Sequence, residues 1–425
     1  MLIKRERYMN LLIDSMWNGD IKVITGIRRC GKSVLLFELF YEYLLSQGVL
    51  ANNIIKLELD QRKHYKYRNP IILCEYVESI LKSRQDESFF LFVDEVQFTQ
   101  KVIDKENGNI EISIYDMLNE LNAYNNLDVY VTGSNSRMLS KDIATEFRGR
   151  AKQIHIYPLS FEEYYSFVGG EKKEALEQFM LYGGMPRVAK MKKQQEKKEY
   201  LINLYNELYI KDIVERNHLE REDILNAILD YTASQIGSLT NPTNIANSLS
   251  SMRNEKINPA LVSEYLSHIM DVFLLSIALR YNIKGKKYFN YPSKYYYADL
   301  GLRNARLNYR QYDPGHIMEN IIYNELIFRG YSVDVGMVLD RTNNEKVQRE
   351  IDFVVNDADK RIYIQSAYQI NDAEKENAEL QSMKLTGDFF RKIIIQMDIS
   401  HNYYDNDGIL HCNLIDFLLG NVELF

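Results

Sequence analysis

Residues Gly26-Ile27-Arg28-Arg29-Cys30-Gly31-Lys32-Ser33 constrain this chain more than any other stretch. They match the spacing GxxxxGK[ST] in full, directly after an apolar run at 21–25 and directly before a helical pattern at 33–46. Strand, loop and helix in that order are what a phosphate-cradling loop requires. Its glycines let backbone N–H groups turn inward around phosphate oxygens, and a helix N-terminus favours negative charge. Lys32 would then reach the β- and γ-phosphates, and the Ser33 hydroxyl would ligate magnesium. The expectation is a purine nucleoside triphosphate, ATP above all, bound with Mg2+ along Gly26 to Ser33.

Such a loop needs a second piece. Residues 89–93, Phe-Phe-Leu-Phe-Val, form an apolar run that ends in Asp94-Glu95. An acid at the carboxyl end of a parallel strand faces the ligand crevice. Asp94 is expected to hold magnesium through water, and Glu95 to act as general base on an attacking water. Alone, this pattern is an ordinary strand end; beside the upstream loop it reads as catalytic. The adjacent glutamate favours hydrolysis over phosphoryl transfer to a small metabolite. The next run, 129–132, leads into Gly133-Ser134-Asn135-Ser136, where Ser134 or Asn135 is the candidate to sense the γ-phosphate. An ordinary loop is the alternative there. Arg148 and Arg150 flank Gly149 and read either as an arginine finger acting in trans or as surface ion-pair partners.

Around this site the organisation is α/β. Up to about residue 160, apolar runs at 21–25, 54–59, 89–93, 129–132 and 153–157 alternate with helical patterns, the signature of a parallel sheet. Ser160-Phe161-Glu162-Glu163 resembles a capping box. A helical region follows, with a basic run at Lys190, Lys192, Lys193, Lys197 and Lys198. That run is read first as a solvated helix face and second as a nucleic-acid contact. Asn241-Pro242 and Asn258-Pro259 each place an N-cap before a proline suited to a first helical turn. A helix at 316–329 leads into strands near 333–338, 350–355 and 361–365. The domain expectation is a P-loop core at 1–170, a helical lid or linker at 171–222, a winged-helix-like part at 223–304 and a last α/β domain at 305–425.

Composition limits the partners. A net charge of −7 over 425 residues means that any DNA contact must rest on local patches. The cysteines Cys30, Cys74 and Cys412 lie far apart with no paired spacing, which argues against a disulfide framework or a zinc site and suits a reducing cytosol. The most apolar run, 272–279, is too short to span a bilayer and reads as a buried strand. With no signal-peptide core near the N-terminus, the expectation is a cytoplasmic protein without membrane contact.

The series GIRRCGKS, FLFVDE, VTGSNS and RGRAKQIHIYPLSFEEYY, with Tyr182-Gly183-Gly184-Met185-Pro186, resembles the prokaryotic AAA-type ATPases allied to archaeal ATPases. Residues 294–304, KYYYADLGLRN, resemble the C-terminal part of that family. The resemblance covers nearly the whole chain. It implies a P-loop core with an additional strand and a catalytic glutamate, then a winged helix, then a restriction-endonuclease-like domain.

Two readings follow for the C-terminal half. Helices near 223–236, 243–250 and 259–270 before a hairpin fit a winged helix, and the tip at 281–288 (Tyr-Asn-Ile-Lys-Gly-Lys-Lys-Tyr) is basic and aromatic, as a DNA-contacting wing would be. The would-be recognition helix has no Lys or Arg, so domain packing or a protein contact is an equal alternative. In the last domain, Glu319, Glu350 and Asp352 follow a nuclease layout. However, Gln365 and Ala367 stand where a second acid and a lysine belong. An inactive domain is therefore expected, with those acids as ordinary surface charge.

The expectation is an ATPase that couples ATP binding and hydrolysis to its C-terminal DNA- or protein-binding domains, with a homo-oligomer as one assembly open to it. The alternatives are a slow nucleotide-dependent signalling switch that recruits protein, and an ATP-gated metal-dependent nuclease.

Overall fold

The apolar runs of the N-terminal part form one sheet in which every neighbouring pair is parallel. The strands are β1 (Ile21–Thr25), β2 (Ile54–Glu58), β3 (Phe89–Asp94), β4 (Leu127–Gly133) and β5 (Ala151–His155). Their spatial order is β2-β3-β4-β1-β5. Strands β1, β3 and β4 are buried at every position, which is why they read as continuous apolar runs without alternation. Strand β4 lies between β1 and β3, so the end of β4 separates the loop after β1 from the acids that end β3. The structure is a computed structural model that describes residues 2–104, 109–134, 146–147, 149–340, 347–368 and 380–425. Contacts divide the chain into two compact units, Met1–Tyr157 with Asp271–Phe273, and Pro158–Met270 with Leu274–Phe425.

In the first unit the chain is helical from 32 to 46, with a π-helical stretch at Leu35–Phe40. Leu35, Leu36, Phe40 and Leu44 face the sheet and are buried. The Phe40 ring lies 5.8 Å from that of Phe92 and 5.0 Å from that of Tyr130. Behind the sheet, Leu73, Val77 and Leu81 of helix Pro70–Ser83 and Leu118 and Leu121 of helix Ile114–Leu121 close the other core with Val93 and Val131. One fully buried ion pair, Lys22 with Asp128, joins β1 to β4.

The second unit begins with helix Phe161–Val168, whose Ser160 and Glu163 form the capping box anticipated from sequence. Asn241 caps helix Pro242–Arg253, with Pro242 in its first turn. Three helices, Glu222–Ser234, Pro242–Arg253 and Pro259–Asp271, precede a hairpin of β6 (Leu275–Asn282) and β7 (Lys287–Tyr297). This hairpin is longer than the 281–288 tip read from sequence, and it is not free. Strand β6 pairs in parallel with β8 (Ser332–Asp340) through Arg280, Tyr281 and Asn282. Tyr281 and Ile283 pack into a core with Val338, Ile351 and Val354, while Lys284, Lys286 and Lys287 stay exposed. The apolar side chains of the hairpin thus fasten it to a sheet of eight strands. That sheet continues with β9 (Val347–Asp357), β10 (Lys360–Ala367), β11 (Arg391–Gln396), β12 (Tyr403–Tyr404) and β13 (Leu410–Asn413), in the order β12-β13-β11-β10-β9-β8-β6-β7. The run 272–279 is a strand only from Leu275 onward and is half-buried.

The segments 182–186 and 294–304 interlock. The buried Asp299 carboxylate accepts N–H bonds from Gly184 at 2.7 Å and Leu302 at 3.0 Å. A side chain at Gly183, where φ is +72°, would lie 2.3 Å from that carboxylate. Asn304 donates to the carbonyls of Met180 and Leu181. Among the described residues no helix is long and apolar enough to cross a membrane.

Candidate functional site

The loop after β1 leaves the sheet through Gly26, whose φ of +144° only glycine adopts readily. A Cβ there would stand 2.1 Å from the Ile156 carbonyl oxygen, so the loop can close only over glycine. Ile27 and Cys30 turn their side chains into the protein, and the Cys30 thiol, pushed up by burial, faces the Ile156 carbonyl at 3.5 Å. These two residues anchor the loop and offer a ligand only their backbone. Gly31 and Arg29 take left-handed conformations, and Arg28 and Arg29 lie toward the surface. Lys32 is 4% exposed, and its ammonium donates to the carbonyls of Gly26 at 2.9 Å and Ile27 at 3.2 Å.

Arg5, in the residue before helix Glu6–Ile13, braces the loop from outside. Its guanidinium donates to the Cys30 carbonyl at 3.2 Å and the Tyr157 carbonyl at 2.7 Å. Sequence reasoning missed Arg5, which precedes the motif by more than 20 positions. It also missed His155, which meets Thr25 Oγ1 at 3.2 Å; burial and the Lys32 charge hold its imidazole down to about 4, so it stays neutral.

Asp94 ends β3, buried. Burial pushes its carboxyl up to about 6 against hydrogen bonds from Thr132 and Ser33, and the Glu95 charge acts in the same direction as burial. Thr132 of β4 donates to Asp94 and accepts the Glu95 N–H at 3.0 Å, so one hydroxyl fixes both acids. Glu95 itself has a left-handed backbone, φ +54°. Its carboxylate accepts from Gln97 Nε2 and from Ser134 Oγ at 3.3 Å. Ser134 also takes a bond from Arg28 Nε at 3.3 Å, linking the phosphate loop to the end of β4. The structure therefore brings Gly26 to Ser33, Asp94, Glu95, Thr132 and Ser134 to the carboxyl ends of three neighbouring strands. Asn135 and Arg148 lie outside the described residues, and Arg150 is exposed. The donor set, an ammonium, a hydroxyl and a carboxylate at a glycine loop, fits a nucleotide with magnesium.

The C-terminal acids require a correction. Glu319 and Asp352 are each 7% exposed and are not surface charge. Together with Glu350 they converge on Lys294 of β7, whose ammonium lies 2.7 Å from Glu319, 2.7 Å from Glu350 and 3.1 Å from Asp352. Tyr296 donates to Glu319 at 2.6 Å, and the Ser366 N–H donates to Asp352 at 2.9 Å. Burial alone would pull the lysine down. The Glu319, Asp352 and Glu350 charges outweigh it and hold the ammonium protonated, well above its ordinary range. Ala367 has no cationic side chain, as read from sequence; the cation comes from a strand 58 residues before Asp352.

A family model described as an AAA domain matches residues 18–165, and one described as a domain of unknown function matches 173–313. An uncharacterized protein of Haemophilus influenzae is 33% identical, covering 98% of this chain and 99% of its own length. The uncharacterized protein MJ1544 of Methanocaldococcus jannaschii is 27% identical, covering 84% of this chain and 77% of that one. Among solved structures, the chain is similar to the Walker-type ATPase PABY2304 of Pyrococcus abyssi, with 15% identity, a TM-score of 0.48 and coverage of 72% of this chain and 96% of that one. It is also similar to Cdc6p of Pyrobaculum aerophilum, with 12% identity, a TM-score of 0.32 and coverage of 76% and 95%. The chain belongs to the family of the Haemophilus influenzae protein, and its N-terminal part is a P-loop domain of the AAA type.

Proposed function

We propose that the chain binds ATP with magnesium, hydrolyses it, and couples the cycle to DNA or protein contacts of its C-terminal half. The observation that carries this reading is the meeting of the Gly26–Ser33 loop, Asp94, Glu95 and Thr132 at the carboxyl ends of three neighbouring strands of a parallel sheet. On nucleotide binding Lys32 would exchange its two carbonyl partners for phosphate oxygens, and Ser33 and Asp94 would hold a magnesium ion, whose charge would offset that of the phosphates. Glu95 takes the proton of the attacking water. Arg148 or Arg150 serves as a finger from a second subunit, and Asn135 or Ser134 senses the γ-phosphate. Exposed Lys284, Lys286 and Lys287, with Lys190, Lys192 and Lys193, are the cations available to DNA phosphates.

One observation favours the slower, switch-like variant of this reading: the Glu95 carboxylate is tied to Gln97 and Ser134. A metal-dependent nuclease is not proposed, because Lys294 already satisfies the carboxylates that would hold its metal.

The test is ATP turnover and ATP affinity of the full chain and of Glu95→Gln, with and without DNA. The variant is expected to bind ATP as tightly as the parent and to lose hydrolysis, since the amide fits but takes no proton. Hydrolysis at the parent rate would place the base elsewhere. In the same assay, mixing Arg148→Ala,Arg150→Ala subunits with Lys32→Ala subunits restores turnover if the finger acts in trans. Absence of rescue in an assembled sample rejects it.

A further inference from the structure

Four lysines are buried among the described residues, and they differ in what neutralises them. Lys22 has Asp128, and Lys294 has three carboxylates. Lys32 has only carbonyl oxygens, which fits a cation reserved for phosphate. The fourth is Lys197, 6% exposed, on helix Gln194–Leu204. It belongs to the basic run read as a solvated helix face, but it turns inward. Its ammonium makes one hydrogen bond, to Gln178 Oε1 at 3.3 Å, and lies 5.0 Å from the Tyr182 ring centroid. Among the described residues it has no carboxylate partner.

That arrangement is costly. An ammonium withdrawn from water without a carboxylate partner is disfavoured, and one cation–π contact with one bond to a neutral amide offsets only part of that. Among the described residues, two of the three ammonium donors have no partner. Burial accordingly pulls the Lys197 pKa below its ordinary range.

Lys197 and Gln178 line a cavity of about 440 Å3, within the range of about 300–1,000 Å3 typical of small-ligand sites. Its apolar wall includes Tyr164, Phe167, Ala175 and Met191. The charged lining is Lys190, Lys192 and Lys197 against Glu171 and Glu174, a net of one positive charge. We propose that this cavity binds a small monoanion with an apolar body, a carboxylate whose oxygens pair with Lys197 while its chain lies on the aromatic and aliphatic wall. The two glutamates disfavour a doubly charged phosphate. The site is independent of the nucleotide reading, since the P-loop contributes no residue to it.

The probe is octanoate, titrated calorimetrically into the full-length protein, with octanol and inorganic phosphate as comparison arms. Octanoate is expected to bind saturably, and octanol about tenfold or more weaker. Lys197→Met should weaken octanoate about tenfold or more, and Lys197→Arg should retain it. Ala175→Met, which narrows the cavity and leaves the ammonium, should also abolish binding, so the test survives if Lys197→Met fails to fold. Absence of saturable octanoate binding at millimolar concentration overturns the proposal, as does undiminished binding in Lys197→Met. Equal binding of octanol, or phosphate binding that disappears with Lys197, overturns the assignment of a carboxylate.

Discussion

Lys32, at the start of a helix, and Lys294, within strand β7, are both buried lysines, yet their surroundings are opposite. Lys32 is held by two neutral carbonyls of its own loop, bonds that phosphate oxygens can replace with a stronger charge-assisted pair. Lys294 is held by three carboxylates from a helix and a strand, and any incoming anion would meet excess negative charge. An ammonium left with neutral acceptors remains available for chemistry. One enclosed by carboxylates cross-links the elements that supply them, here helix Pro314–Phe328, β7 and β9. The comparison separates a ligand site from a structural one more sharply than burial does, since burial is nearly the same in both.

The strongest test of this contrast is Lys294→Met. It leaves three carboxylates clustered without their cation, and breaking a buried pair from one side costs about 3–5 kcal/mol. The full chain should lose that much stability in denaturant while its ATP affinity stays unchanged. Adding Glu319→Gln and Asp352→Asn should recover part of the loss, because the only carboxylate then left charged in the cluster is the partly exposed Glu350. An ATP-binding defect in the folded single variant would break the contrast.

Lys32→Ala should behave in the opposite way. Removing an ammonium that meets phosphate costs about 1.5–3 kcal/mol, roughly 10–150-fold in ATP affinity. Folding should change little, because the lost partners are carbonyls that water can reach once the side chain is gone. Calorimetric titration and a denaturant curve on the same preparation check both halves. Stability falling as far as in Lys294→Met would mean that Lys32 is structural.

The difference also explains what was legible in the sequence. The phosphate loop is local: strand, glycines, lysine and helix lie within 26 residues, so spacing alone located Lys32 and Ser33. Strand β3 was legible because all its positions are buried and read as one apolar run into Asp94. Lys294 was not legible. It sits in Lys294-Tyr295-Tyr296-Tyr297, which carries only a strand signal, and its partners come 25 and 58 residues later. Gln365 and Ala367 occupy the positions of a second acid and its lysine, whereas the cation comes from another strand. Arg5 and Thr132 were missed for the same reason: each acts through contacts distant in sequence. The Thr132 hydroxyl, in particular, looked like one more residue of a β-branched strand.

The smallest expected effect concerns Glu95, whose situation lies between the two lysines. Its carboxylate is neither free nor locked, with Gln97 Nε2 and Ser134 Oγ as its donors. At the half-buried Glu95, where water can replace a lost donor, each of these bonds stabilises the resting carboxylate by about 0.5–1.5 kcal/mol, and a general base must give up such bonds to face water. Gln97→Ala should therefore raise ATP turnover by roughly 2–12-fold, with ATP affinity unchanged, because among the described residues Gln97 donates to Glu95 and Ser134 and not to the phosphate loop. Repeating the substitution in a Glu95→Gln background separates this from a general loosening of the site: with no base to release, Gln97→Ala should then have no effect on turnover. A fall in turnover on Gln97→Ala alone would show that Gln97 orients the carboxylate toward water, placing Glu95 with the structurally held groups of Lys294 instead of the exchangeable ones of Lys32.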